Sequence, residues 1–473
     1  MTTETIRSLA DRQVELPSET LEAFRKGLRG ELLEAEDADY ETVRQLYNAM
    51  IEKRPALIAR CVDAADVMTA VDFARDNEIL MAVRGGGHNG PGLGSCEGGL
   101  MVDLSPMNGV RVDPNRRTAR VEGGSVWGDV DHATHAFGLA TPSGILPPTG
   151  VGGLTLGGGH GYLTREYGLT IDNLLEADIV LANGQMVTAS PSEHADLFWA
   201  LRGGGGNFGV VTSFLFDLHP VDEVYAGPIF WDLDDARAVM QTYGDFMPQA
   251  PEQLYGFFGF TAVPPADPFP EELHGSTVCG VVWCCDCPAN IAEEAMEPFR
   301  HETPTPLWEH LGPMPYPALQ SFHDQFYPPG YDWYWKGDFV RELTNEAIDL
   351  HVEFGSQLPT PLSTMHLYPV DGAVHDVGQR ETAFSYREAN WSQVIVGVAD
   401  DPQRDDEIID WARDYYEAIH PHTLGGAYVN FMMEEGGERI RATYRENYDR
   451  LLKVKQSYDP QNLFRVNQNI APE

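Results

Sequence analysis

Residues 81–94 read Met81-Ala82-Val83-Arg84-Gly85-Gly86-Gly87-His88-Asn89-Gly90-Pro91-Gly92-Leu93-Gly94. The first four residues are strand-like, and the glycines that follow are used where a backbone bends sharply or approaches a ligand closely. His88, directly after three of them, has three readings as a residue type: a hydrogen-bonded core histidine, a metal ligand, or a nucleophile aimed at a cofactor. The surrounding chain has to decide among them.

Upstream, LIARCV (57–62), DAADVMTAVDFARDN (63–77, opened by Asp63 as helix N-cap) and ILMAVR (79–84) form a strand, helix and strand that feed the glycine loop. Downstream, LMVDLSPM (100–107), GVRVDPNRRTARVEGGSVWGDV (109–130) and a helix through HATHAFG (132–138) lead to a second glycine block, PPTGVGGLTLGGGHGYL (147–163). A third, ALRGGGGNFGVVTSF, occupies 200–214. Glycine costs conformational entropy on folding, so three such clusters within about 130 residues imply an extended ligand lying along several loops. The GGGHG of the second block (157–161) lacks the GxGxxG spacing of a dinucleotide turn at a strand-to-helix junction, which ranks nicotinamide below flavin. Residues 1 to about 50, with apolar spacing in ETLEAFRKGL (19–28) and ETVRQLYNAMI (41–51), read as an N-terminal helical cap over 1–54.

Composition narrows the class. The 473 residues, 42% hydrophobic, suffice for several domains with large cores. No apolar window of about twenty residues and no secretory leader is evident, so a soluble, cytoplasmic protein without a membrane partner is expected. Seventy-two acidic against 32 basic residues give a net charge of −40, which disfavours nucleic acid. Lysine is confined to Lys26, Lys53, Lys336, Lys453 and Lys455. This balance suits a halophilic cytoplasm, where a Debye length of roughly 3 Å at molar salt screens self-repulsion. Cys279, Cys284, Cys285 and Cys287 cluster in a β-prone run, and with neither a second CxxC nor a His pair they read as buried strand cysteines, with no metal site.

RGGGH (84–88), LTLGGGHGYLTREYGLTIDNLLEADIVLANG (154–184), HADLFWALRGGGGNFGVVTSF (194–214) and NYDRLLKVKQSYDPQNLFRVNQNI (447–470) together resemble the berberine bridge enzyme-like FAD-linked oxidases of the vanillyl-alcohol oxidase, or PCMH-type, fold group. The resemblance implies an α+β protein: a two-part PCMH-type FAD-binding domain (55–222), completed by a C-terminal segment (433–473), around a substrate domain (223–432) with an antiparallel sheet flanked by helices. The runs IFWDLDD, LYGFFGFTAV, TVCGVVWCC, MHLYPV and SQVIVGVA are β-prone, DEIIDWARDYYEAI is helical, and Pro460 stops the last helix.

The resemblance also implies site residues. His88 would bond covalently to the FAD, and Leu146 stands where many members carry a second tethering cysteine, so one bond is expected. A neutral imidazole suits that nucleophilic role. Implied cofactor contacts are Arg84, Gly85, Gly86, Gly87, Asn89, Gly94, Ser95, Asp103, Thr149, Gly150, Gly153, Gly157, Gly158, His160, Gly161, Asp172, Asn173, Asn207, Gly209, Val211, Asn467 and Gln468. For catalysis, GGAYVNFM is expected to place Tyr428 and Asn430 on one face of a strand, with Tyr428 as base and Lys336 as the cation lowering its pKa. The reaction implied is hydride removal from a C–OH carbon of a sugar or small alcohol, with oxygen or another electron acceptor, and Tyr386 and Trp391 suit ring stacking. The alternatives are oxidation of a C–N bond in a hydroxynicotine-like amine, and a non-catalytic covalent flavin carrier.

Overall fold

The computed structural model describes residues 4–324 and 326–472. Two sheets carry the glycine-rich half. Leu57–Arg60, Leu100–Asp103 and Met81–Arg84 run parallel, joined by the helix Ala64–Asp76, whose N-cap Asp63 accepts a hydrogen bond from the Asp66 amide. Parallel strands buried on both faces need continuous apolar sequence, and Leu57, Ile58, Ala59, Leu100, Met101 and Val102 are fully buried. The second sheet is antiparallel, with strands in the order Met186–Ala189, Leu174–Val180, Val210–Asp217, Thr118–Glu122, Val110–Asp113.

The rest of the chain builds an eight-stranded antiparallel sheet. Its long strands are Glu223–Trp231, Leu254–Ala262, Thr277–Cys285, Asp332–Val340, Thr364–Pro369 and Trp391–Ala399. One face, with Phe258, Phe260, Val281, Met365, Leu367 and Ile395, packs under the helices Ala236–Phe246, Ala289–Glu302, Asn345–Gly355 and Asp405–Ile419. Alternation along each strand then turns Phe257, Tyr368, Val394 and Val396 toward the glycine-rich half. The functional site lies between.

Two expectations are corrected. Residues 1–54 are not a helical cap: Glu4–Arg7 pairs with Gln13–Leu16, Ser18–Gly27 is helical, and Glu31–Leu33 adds antiparallel to Leu57–Arg60. In the second expected helix only Tyr40–Val43 forms, because the Asn48 amide is drawn across the molecule to the Gly90 and Trp333 carbonyls at 2.8 and 2.9 Å. Cys285 and Cys287 form a disulfide where buried free thiols were expected, while Cys279 and Cys284 are buried and free. The last helix ends at Tyr458, just before Asp459-Pro460. Among the described residues no helix is long and apolar enough to cross a membrane.

Candidate active site

A cavity of about 310 Å³ separates the two halves. One side is backbone. Gly86 and Gly150 lie so close that a Cβ on Gly86 would sit 2.5 Å from the Gly150 backbone, and one on Gly150 would sit 2.4 Å from Gly86 N. The two loops touch main chain to main chain, which only glycine permits. Beside them His88 stacks on Tyr47 with ring centroids 3.9 Å apart, and its Nδ1 is buried without a hydrogen-bond partner. Burial pushes the His88 pKa down to about 4, so the ring is a neutral nucleophile at neutral pH.

The C-terminal segment closes this side. Asn467 Nδ2 donates to the Gly206 carbonyl at 2.9 Å, Asn207 Nδ2 donates to the Gln468 carbonyl at 3.2 Å, and Ile470 N donates to Asn207 Oδ1 at 3.0 Å. Buried Lys455 fixes the arrangement by donating to the carbonyls of Asn207 (2.7 Å) and Phe464 (3.1 Å) while paired with Asp459 at 2.6 Å.

The opposite side is made of side chains from three strands: Trp333 and Trp335; Thr364, His366 and Tyr368; Val394 and Val396. Thr364 Oγ1 donates to the Phe260 carbonyl at 2.7 Å, so its contact with His366 Nε2 at 2.9 Å requires the proton on Nε2. His366 Nδ1 is therefore the unprotonated nitrogen, and it accepts from Tyr368 Oη at 2.6 Å. Burial holds His366 down at about 3 and the Tyr368 hydroxyl well above its usual value, so both rest neutral. His160, also held near 3 by burial, lies 5.3 Å from the Tyr368 ring with both nitrogens unpartnered. Among the described residues no Asp, Glu, Lys or Arg lines the cavity.

Of the residues singled out in the sequence, Gly85, Gly86, Gly87, His88, Asn89, Gly94, Leu146, Thr149, Gly150, Gly153, His160, Asn207, Gly209, Val211, Tyr428, Asn430, Asn467 and Gln468 line this cavity. Others do not. Arg84 turns its guanidinium to the Val43 carbonyl, Asp103 caps Ser105, Asp172 makes a two-pronged ion pair with Arg387, and Asn173 spans the carbonyls of Tyr167 and Leu169. Ser95 is buried away from the lining. Gly157, Gly158 and Gly161 shape the helix Val151–Gly157 and the turn after it from behind; a Cβ on Gly157 would meet the Asn430 amide at 2.5 Å.

The expected catalytic group is corrected. Val429–Phe431 is a 3-10 turn, not a strand, and the Tyr428 oxygen accepts from Gly159 N at 3.0 Å and Asn430 Nδ2 at 2.8 Å. Burial raises Tyr428 to about 12. Lys336 does not lower it: alternation along Asp332–Val340 turns Trp333 and Trp335 to the cavity and Lys336 away, onto Glu435 at 3.0 Å and the Tyr416 ring. Tyr386 and Trp391 are likewise buried elsewhere, against Phe339 and Tyr243. Sequence reasoning missed Tyr47, His366 and Tyr368. The signal was present in Thr364-Met365-His366-Leu367-Tyr368, where polar-capable side chains alternate with apolar ones on a buried strand.

A family model for the FAD binding domain matches residues 55–190, and one for berberine and berberine-like proteins matches 427–471. The FAD-linked oxidoreductase YgaK of Bacillus subtilis, itself uncharacterized, is 30% identical over 455 residues, spanning 94% of this chain and 97% of that protein. (R)-6-hydroxynicotine oxidase of Paenarthrobacter nicotinovorans is 30% identical over 476 residues, with 94% and 97% covered. The crystal structure of 6-hydroxy-D-nicotine oxidase from Arthrobacter nicotinovorans superposes with a TM-score of 0.83 at 26% identity, covering 94% of this chain and 98% of that one. A chitooligosaccharide oxidase shares the fold, with a TM-score of 0.84 at 22% identity over 96% of this chain and all of that one.

The residues present fit FAD. Glycine loops in backbone contact offer amide donors to a pyrophosphate without any cationic side chain. His88, whose Nδ1 is buried and unpartnered, lines the same cavity.

Proposed function

The chain belongs to the berberine-like FAD-linked oxidoreductases, and on that premise we propose that it removes a hydride from a carbon bearing a hydroxyl or an uncharged amine in a neutral, ring-bearing small molecule, with FAD tethered through His88 alone. Bound FAD supplies the two-electron acceptor. Residues 55–222 and 433–472 form its cradle in this reading, and 223–432 supply the substrate wall.

The observation that carries the reading is the hydrogen-bond chain Phe260 O, Thr364 Oγ1, His366, Tyr368 Oη on a wall without charged side chains. A buried tyrosine at neutral pH is protonated and can accept a substrate proton only if its own has somewhere to go. Tyr368 has that outlet: the substrate O–H or N–H proton passes to Tyr368 Oη as the tyrosine proton moves to His366 Nδ1. Tyr428 has a poorer one, because among the described residues its acceptor is the Leu154 carbonyl at 3.4 Å, a group that cannot take a proton. An aromatic and aliphatic wall also suits a ring-bearing substrate better than a sugar, whose many hydroxyls need polar partners.

The test is anaerobic bleaching of the flavin with a panel of substituted benzyl alcohols, benzylamines, hydroxylated pyridyl amines, glucose and cellobiose. Ring-bearing alcohols or amines should bleach it and the sugars should not. Tyr368→Phe should slow reduction by about 10²–10⁴-fold. Because His366 is held near 3, the rate should also show no acid limb near 6.5, the usual imidazole value. Bleaching by sugars alone, or an undiminished rate in Tyr368→Phe, would overturn the reading.

A further inference from the structure

His366 and Tyr327 are shared by the active-site cavity and a second cavity of about 460 Å³ that lies beside it on the same face of the sheet, the face that carries Phe257 and Tyr368. The second cavity is built from Phe230, Phe257, Phe269, Phe322 and Phe326 with Val263. It has a defined floor: Gly259 and Gly280 stand opposite each other in mid-strand. A Cβ on Gly259 would lie 2.8 Å from the His366 ring, and one on Gly280 would lie 2.5 Å from the Phe230 ring. Glycine weakens a strand interior and is retained where something must approach the backbone closely; here two rings lie flat on the sheet.

Interiors are close-packed, with few voids larger than a water molecule, so a space of this size among phenylalanines is a binding feature. Its chemistry is specific. Among the described residues no Asp, Glu, Lys or Arg lines it. Several of its polar atoms are already partnered: His323 Nδ1 contacts Tyr162 Oη at 3.3 Å, His274 Nε2 contacts the Phe269 carbonyl at 3.0 Å, and Thr261 Oγ1 donates to the Ala262 carbonyl at 3.2 Å. The lining is mostly aromatic and aliphatic carbon with no charged side chain among the described residues, which suits an apolar, uncharged occupant.

We propose that this cavity binds an apolar arm of the same substrate molecule whose reacting carbon faces Tyr368, so that the physiological substrate is an elongated alcohol or amine with an aromatic or aliphatic tail. The inference rests on the reading of the Tyr368 wall as the reaction site. Continuity through His366 and Tyr327 selects the occupant. The imidazole that takes the Tyr368 proton on one edge presents its Cδ2 edge to the Gly259 floor of the second cavity, so a tail seated there lies against the relay itself.

The experiment uses the FAD-loaded enzyme and para-alkyl benzyl alcohols from methyl to octyl, with binding read from the perturbed flavin spectrum of each complex and reduction read separately by anaerobic bleaching. Affinity should rise with chain length, by at least tenfold from methyl to octyl. Val263→Trp, which fills the cavity, should reduce that octyl-to-methyl ratio at least tenfold. Phe322→Ala, which enlarges the cavity, should shift the preferred length upward and keeps the test open if Val263→Trp fails to fold. Affinity independent of chain length, or a length dependence that neither substitution alters, would overturn the proposal. Length-dependent binding without bleaching by any member would leave the arm site standing and sink the reaction reading. Bleaching without length dependence would do the reverse.

Discussion

The two sides of the cavity are built on opposite principles. The cofactor side presents main chain from glycine loops, held by Lys455, Asn207 and Asn467. The substrate side presents side chains from three neighbouring strands of one sheet. On the first side, a side chain added where the loops touch, at Gly86 or Gly150, does harm; on the second, the identity of each side chain sets the chemistry. Disturbance of the glycine side should therefore appear as lost flavin or lost fold, and disturbance of the aromatic side as lost rate.

The largest expected effect is all-or-none. In His88→Ala the folded protein should still bind FAD through the loops, but denaturation should release it completely, whereas wild type should retain one flavin per chain. The measurement is flavin absorbance in the acid-precipitated pellet, followed by a peptide map. Flavin found on another residue, or on none in wild type, would break the proposed tether and leave the glycine loops as a purely non-covalent cradle.

Next in size is Gly150→Ala. Gly150 has an ordinary φ of −66°, so backbone strain plays no part and the effect is steric. The new Cβ would lie 2.4 Å from Gly86 N, and the contact is with backbone, which cannot swing aside. We expect a loss of about 3 kcal/mol, toward the upper end of single substitutions, together with weakened FAD retention. Gly153→Ala is the control, since a Cβ there meets no protein atom within 4 Å and alanine favours its helix by about 0.5–1 kcal/mol. If both variants melted alike in calorimetry, the close approach of the two loops would not matter.

This division also explains what was legible in the sequence. The glycine side was readable because its signal is local: three runs of glycine, with His88 inside the first. What failed there were charged and polar residues adjacent to the motifs. Arg84, Asp103 and Asp172 sit beside cofactor loops in sequence but spend their charge on Val43, Ser105 and Arg387. The aromatic side was obscure because a buried strand with two covered faces reads as continuous apolar sequence, so nothing in Asp332–Val340 alone says that Trp335 faces the cavity and Lys336 does not. Likewise the His366 nitrogen that accepts from Tyr368 Oη is two residues away, while Gly159 and Leu154, which bond to the Tyr428 oxygen, are far away in the chain. Periodicity identifies faces; it does not say what stands opposite them.

The smallest effect separates the sides most sharply. Tyr428→Phe removes one phenolic oxygen that accepts from Gly159 N and Asn430 Nδ2. It leaves a buried backbone donor unpaired at the end of the Val151–Gly157 helix, at a cost of about 1–3 kcal/mol. Ring packing against His160 and Phe431 should survive because the ring remains. Tyr428 therefore belongs with the glycine side: it positions the cradle, and its loss should lower the melting temperature while slowing anaerobic flavin reduction by less than tenfold. Tyr368→Phe should do the opposite, sparing stability more and rate far less. Both variants need only a thermal melt and one stopped-flow experiment with the same alcohol. If Tyr428→Phe slowed reduction a hundredfold and Tyr368→Phe did not, the proton acceptor would lie on the glycine side, and the division of labour across the cavity would be the reverse of the one argued from its hydrogen bonds.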